Sequence, residues 1–377
     1  MCQITGEGTL RGDNHVQRPR TTGDLRKSEV RRGDADTSTR HQSRHPVPEH
    51  YNRAIDLIRR ICGVAGSLTF LDDILIDVQK AGILEAVAKR NTPKIFDWLL
   101  NAFSYQGISD QVARSYIRKH GNVTFSDIEA GLDERPPCPL LHTYWHFDGC
   151  RYDKGSFSCS EPNHLDACPL PRHTLRNGRL NQTAYSFFLF VRDVANNDLV
   201  GWIDDRLANA QSASISPCVD LAADRQERLI GPLRNIYGVS DKILTMTLSG
   251  LLIGASDNRP HWFETGKGMI AIDTLVHNFL HRTGILDDCG ASHAYGVGCY
   301  GHGGCAEIIR AVASQIDASA FNARFPRVYP RFVQHAIWRF CAADGLNICN
   351  GNRIDDRKSC ENRYCQVFGK CDRKSLK

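Results

Sequence analysis

Between residues 229 and 252 the chain reads LIGPLRNIYGVSDKILTMTLSGLL, and this stretch leaves few folds open. Leu229, Leu233 and Ile236 recur at helical spacing, and the pattern stops at Tyr237-Gly238. Gly238 can adopt the positive φ that ends a helix. Ser240 or Asp241 can cap the next one, which carries Lys242 in its first turn and is apolar through Leu252. Two helices joined by so tight a turn direct the amides of Gly238, Val239 and Ser240 outward. Unpaired amides and the helix dipole together make an anion site suited to phosphate. About thirty residues on, the apolar run 269–272 delivers Asp273 to the start of another helix.

Composition narrows the function classes. Hydrophobic content of 41% and charged content of 24% are ordinary for a globular chain. No apolar run approaches the ~20 residues that span a bilayer, and MCQITGEGTLRGDNH lacks the apolar core of a secretory signal. The expectation is a cytoplasmic, nucleoid-associated protein with no membrane partner. A net charge of +5 permits a polyanionic partner without requiring one. Fifteen cysteines in a reducing compartment read better as metal or Fe–S ligands than as disulfides.

Taken in order, residues 1–47 hold nine Lys or Arg against six Asp or Glu, about +3, with almost no large apolar residues. They read as a disordered basic arm, either a simple tail or a DNA tether. Helical patterns follow at 51–58 and 71–89, then a stripe of Ile95, Trp98, Leu99 and Phe103. A further helix starting at Ser109-Asp110 has Val112, Ala113, Tyr116 and Ile117 as its inner face. Residues 133–175 break the pattern. Cys138, Cys150, Cys159 and Cys168, interleaved with His142, His146 and His164, form either a second metal site, zinc for example, or a loop of reduced thiols. Tyr144, Trp145 and Phe147 are candidates for stacking on bases. Helix returns at 183–192, followed by a short helix and loops around GWIDDRL. Beyond Asp273 a glycine-rich segment carries Cys289, Cys299, Cys305, His293 and His302. It reads as a metal loop or, preferentially, as a flexible solvated loop.

The segment Ile236-Tyr237-Gly238-Val239-Ser240-Asp241-Lys242, followed by Ile272-Asp273-Thr274-Leu275-Val276-His277, resembles the helix–hairpin–helix DNA glycosylases of the endonuclease III superfamily. In that family the hairpin is commonly L-P-G-V-G-x-K and the aspartate motif V-D-T-H. Here Tyr237 replaces the proline and Ser240 the second glycine, and the polar residues 256–267 lengthen the gap before the aspartate. Ser104-Tyr105-Gln106-Gly107-Ile108-Ser109-Asp110 is similar to the family's S-x-Q-x-x-D, whose glutamine lies at the DNA face. Cys349, Cys360, Cys365 and Cys371 close the chain as C-x10-C-x4-C-x5-C, against the family's C-x6-C-x2-C-x5-C around a [4Fe–4S] cluster. For these four a [4Fe–4S] cluster is the favoured reading, ahead of structural zinc.

The resemblance implies an all-α, two-lobed fold. A six-helix barrel over 90–273 would contain the 133–175 insert and the hairpin 229–254. The second lobe would join 48–89 to 274–371, with the Cys/Fe–S loop at 349–371. It also implies a monomer that acts on double-stranded DNA, flips a damaged base and cleaves its glycosidic bond. Asp273 would stabilise the oxocarbenium-like transition state, and its bland role is a helix N-cap. Lys242 would be the nucleophile, because a lysine amine that has lost its proton can form a Schiff base and so confer AP-lyase activity. Gln106 and the tip Gly238–Ser240 would contact DNA. Two other classes stay open: a non-catalytic DNA-binding module that keeps the hairpin, and a Cys-rich metal or redox protein on a helical scaffold.

Overall fold

The computed structural model describes residues 48–65, 69–105, 110–132, 134, 136, 138–144, 149–153, 158–159, 179–213 and 221–376. Gln106, Trp145, Phe147, Cys168 and the arm 1–47 lie outside the described residues, as does the side chain of Cys159.

The protein is all-α. Fifteen α-helices appear among the described residues, beside one antiparallel pair of two-residue strands, Tyr152–Asp153 and Ser158–Cys159. Helices α1 (Asn52–Ala65), α2 (Phe70–Lys80) and α3 (Ile83–Ala88) open the chain. The apolar pattern over 71–89 is two helices and not one, because Gly82 takes φ +67° between them. Helix α4 (Thr92–Phe103) begins at Asn91, whose side chain accepts from the Lys94 amide, with Pro93 in its first turn. Helix α5 (Asp110–His120) buries Ala113, but Val112 is 52% exposed, so the expected inner face is narrower. Helix α6 (Phe125–Gly131) starts in a capping box between Thr124 and Asp127.

Two hydrophobic cores organise the rest. The first centres on α7 (Arg179–Asp193), which is buried at every position from Asn181 to Val191. Phe187 stacks on Phe96 with centroids 4.6 Å apart, and Phe190 meets Trp202 edge-on. Trp202 belongs to α8 (Leu199–Ala213), a fifteen-residue helix where the sequence suggested a short one. Val78, Ile83 and Val87 also pack in this core, so α3 and the end of α2 go with it. The second core joins α1 to α12 (Thr274–Arg282), α13 (Ile285–Asp288), α14 (Cys305–Ala313) and α15 (Pro330–Cys341).

The chain crosses between cores near residue 270: Met269 lies in the first and Ile270 in the second. The polar residues 256–267 are structured at this crossing. They form α11 (Pro260–Gly268), which packs on α9 (Leu221–Leu233), α10 (Asp241–Gly254) and α15. Trp262 is buried there, with its indole N–H donated to Asp204 at 2.7 Å. Gly266 lets α11 approach α10. A Cβ at this position would stand 2.9 Å from the Leu252 Cβ and 3.1 Å from the Ile253 backbone nitrogen. Gly266→Ala is therefore expected to destabilise the protein by about 1–3 kcal/mol, the usual cost of overpacking, seen as a lower Tm in a thermal melt. Among the described residues no helix is long and apolar enough to cross a membrane.

Candidate functional site

The hairpin is α9, a turn, and α10. Leu229, Leu233 and Ile236 are buried beneath it, and Gly238 sits exposed at the tip with φ +75°. Two side chains of α7 hold the turn from below. Thr183 Oγ1 donates to the Tyr237 carbonyl at 2.7 Å, and the Tyr237 amide donates to Ser186 Oγ at 3.0 Å. A Cβ on Gly238 would crowd Thr183 Oγ1 at 3.2 Å. Arg234 ties the two helices together, reaching Asp241 at 3.0 Å and Glu227 at 2.9 Å. Ser240 occupies the N-cap position of α10 in extended conformation without a side-chain capping bond.

Lys242 lies in the first turn of α10, half-buried. Asp273 is the N-cap of α12, and its Oδ1 accepts from the Val276 amide at 2.9 Å. Capping thus occupies one carboxylate oxygen. Burial pushes the Asp273 carboxyl above the ordinary carboxylate range, while the Val276 amide and the Lys242 ammonium pull it back. Lys242 stands on α10 of the first core, and Asp273 at the edge of the second. Arg331 of α15 is buried, and burial pulls its guanidinium down to about 10 against the opposing influence of Tyr329, Tyr300 and Asp273.

The terminal cysteines share one site. Cys349, Cys360, Cys365 and Cys371 line one common pocket beneath α12 and α15, with Arg282 and Arg373 in the same wall. Burial pushes the Cys371 thiol up to about 11. Cys349 is lowered, first by a hydrogen bond from Cys341 behind it. The loop is pinned by long-range bonds. Buried Arg282 donates to Asp356 at 2.8 Å, the Lys374 amide to the Arg282 carbonyl at 3.0 Å, and the Cys360 amide to the Arg373 carbonyl at 3.0 Å. Arg53 of α1 reaches Asp288 at 2.6 Å and Asp372 at 2.5 Å.

A second group forms where solvated loop was the preferred reading. His277, His293, Cys299 and Cys305 bring their ligand atoms within 4.8 Å of one another and can hold a metal ion. Cys299, Cys305 and His277 are buried. Cys289 is not part of it, and His302 is exposed and faces Glu307 at 3.2 Å. His277 was missed as a ligand because it lies in α12, outside the glycine-rich segment. The available signal was its position one turn after Asp273.

Other expected residues divide. Tyr144 does not face a ligand: it is buried, donating its hydroxyl to the Pro232 carbonyl at 3.1 Å. His142 Nε2 lies 2.8 Å from the Pro136 carbonyl. Cys138 and Cys150 are half-buried against the first core. Compared with known proteins, the chain matches no family model, no curated protein and no solved structure.

Proposed function

We propose that this chain is a DNA glycosylase with AP-lyase activity, a monomer acting on double-stranded DNA. The observation that carries the reading is an exposed hairpin tip with Lys242 in the first turn of the helix that follows it, and Asp273 capping α12 where the chain passes from the first core to the second. An extruded nucleotide would present C1′ to both groups. As the C1′–N bond breaks, its electron pair leaves with the base, and the Asp273 carboxylate stabilises the positive charge left on the sugar. The Lys242 amine forms a bond to C1′ and loses a proton. Ring opening then gives a Schiff base. Removal of a C2′ proton expels the 3′ phosphate, which cleaves the strand. The Gly238 and Ser240 amides at the tip bind a backbone phosphate; the Val239 amide, expected to point outward with them, instead donates to the Ile236 carbonyl at 3.4 Å and closes the turn.

The terminal cysteines suit a [4Fe–4S] cluster. Four sulfurs line one pocket, and four thiolates around one pocket are the ligand set such a cluster needs. A buried Arg282 in the wall suits the negative charge of a thiolate-bound cluster. The cluster would supply rigidity and no redox step. It would hold out a loop on which Arg353, Arg357 and Arg363 are exposed without an ion-pair partner among the described residues, available to phosphates. Cys365→Ser is expected to lose the visible Fe–S absorption and bound iron. A colourless wild type carrying zinc in its place would contradict this assignment.

The test of the activity is strand scission on a panel of duplexes carrying an abasic site or single damaged bases. Cleavage 3′ to the lesion is expected. Binding to duplex without base release or scission on any of them would favour a non-catalytic module.

A further inference from the structure

We propose that His277, His293, Cys299 and Cys305 bind one zinc ion in a closed structural site beneath the helix that begins at Asp273. The geometry stands independently of the reaction proposed above. A tetrahedral ion with Zn–N of about 2.05 Å and Zn–S of about 2.3 Å separates its nitrogen and sulfur ligands by about 3.6 Å. The separations in the structure are 3.4 Å for His277 Nδ1 to Cys305 Sγ, 3.5 Å for His277 Nδ1 to Cys299 Sγ, and 3.4 Å for His293 Nε2 to Cys305 Sγ.

The surroundings prepare the ligands. His293 Nδ1 lies 2.6 Å from the Ala291 carbonyl, so that nitrogen carries the proton and Nε2 turns its lone pair to the group. Two thiolates neutralise a dication. The loaded site thus carries no net charge, as a buried position requires. The soft thiolates with two imidazoles favour zinc among divalent ions held in this geometry, and four protein ligands leave no open position for catalysis. The glycines of the loop now have a purpose. Gly290, Gly296 and Gly303 take positive φ, and Gly304 has no room for a side chain against the Gly298 carbonyl. Only such a backbone can turn tightly enough to bring His293, Cys299 and Cys305, spaced x5 and x5, onto one point.

The site ties three pieces of chain together: α12 through His277, the loop through His293 and Cys299, and the start of α14 through Cys305. Tyr300, next to Cys299, accepts from the Ile272 amide at 2.9 Å and donates to the Ile272 carbonyl at 3.3 Å. The ion would therefore fix the backbone on both sides of Asp273.

The experiment measures zinc and iron in the purified full-length protein after dialysis against a mild chelator. About one zinc per chain is expected, retained in Cys365→Ser, Cys289→Ser and His302→Ala and lost in Cys299→Ser and His293→Ala. Co(II) exchanged into wild type should give the visible spectrum of a tetrahedral thiolate site, a readout that holds even if a variant fails to fold. Two results would overturn the proposal. One is wild type with less than about a tenth of an equivalent of zinc and no Co(II) uptake. The other is zinc that stays in Cys299→Ser but leaves with Cys365→Ser.

Discussion

Replacing Lys242 by glutamine is expected to remove strand scission at an abasic site, by at least about a thousandfold, while duplex binding stays within about twofold. The two effects separate because the residue has two possible uses. As a phosphate contact, Lys242 would contribute a modest, salt-dependent share of binding spread over many cations. As a nucleophile, it forms the bond on which β-elimination depends, and no neighbour replaces it: the nearest cation in the hairpin, Arg234, is held by Asp241 and Glu227. Its substitute keeps the length and polarity of the side chain, and the half-buried first turn of α10 has no capping bond that involves position 242. Single-turnover scission and an equilibrium binding curve on the same duplex check both halves.

Asp273→Asn is expected to lower base release by about 10²–10³-fold, the scale on which a single charge-stabilising group acts. Stability should move the other way. Burial raises the Asp273 carboxyl above its unfolded value. Keeping it ionised in the folded state therefore costs stability; the cost is absent below the unfolded pKa and complete above the folded one. Asparagine is as good an N-cap as aspartate and carries no charge to bury. The variant should hence equal or exceed wild type in Tm at neutral pH and lose this advantage on acidification. The reaction needs the ionised form, so the acid limb of the wild-type rate profile should lie above the ordinary carboxylate range. A destabilised Asp273→Asn protein, or an acid limb at the value of a free carboxylate, would remove this part of the account.

The hairpin was legible because its signals are local. The apolar spacing of Leu229, Leu233 and Ile236, one glycine with positive φ and an aspartate after an apolar run need no knowledge of the rest of the chain. What was not legible depended on partners distant in sequence. Residues 256–267 read as a polar insert, yet Trp262 reaches Asp204 and Gly266 lies against α10, so they become a helix. Tyr144 looked available for stacking until the Pro232 carbonyl claimed its hydroxyl. The glycine-rich segment suggested flexibility because its fourth partner, His277, lies on a helix before it. A ligand set split between helix and loop leaves no compact spacing to find.

The most direct test of the central claim is borohydride trapping on an abasic-site duplex, with the adducted peptide mapped by mass spectrometry. A covalent protein–DNA adduct on Lys242 is expected, and it should disappear in Lys242→Gln. Absence of any adduct with wild type, or equal trapping by Lys242→Gln, would contradict it.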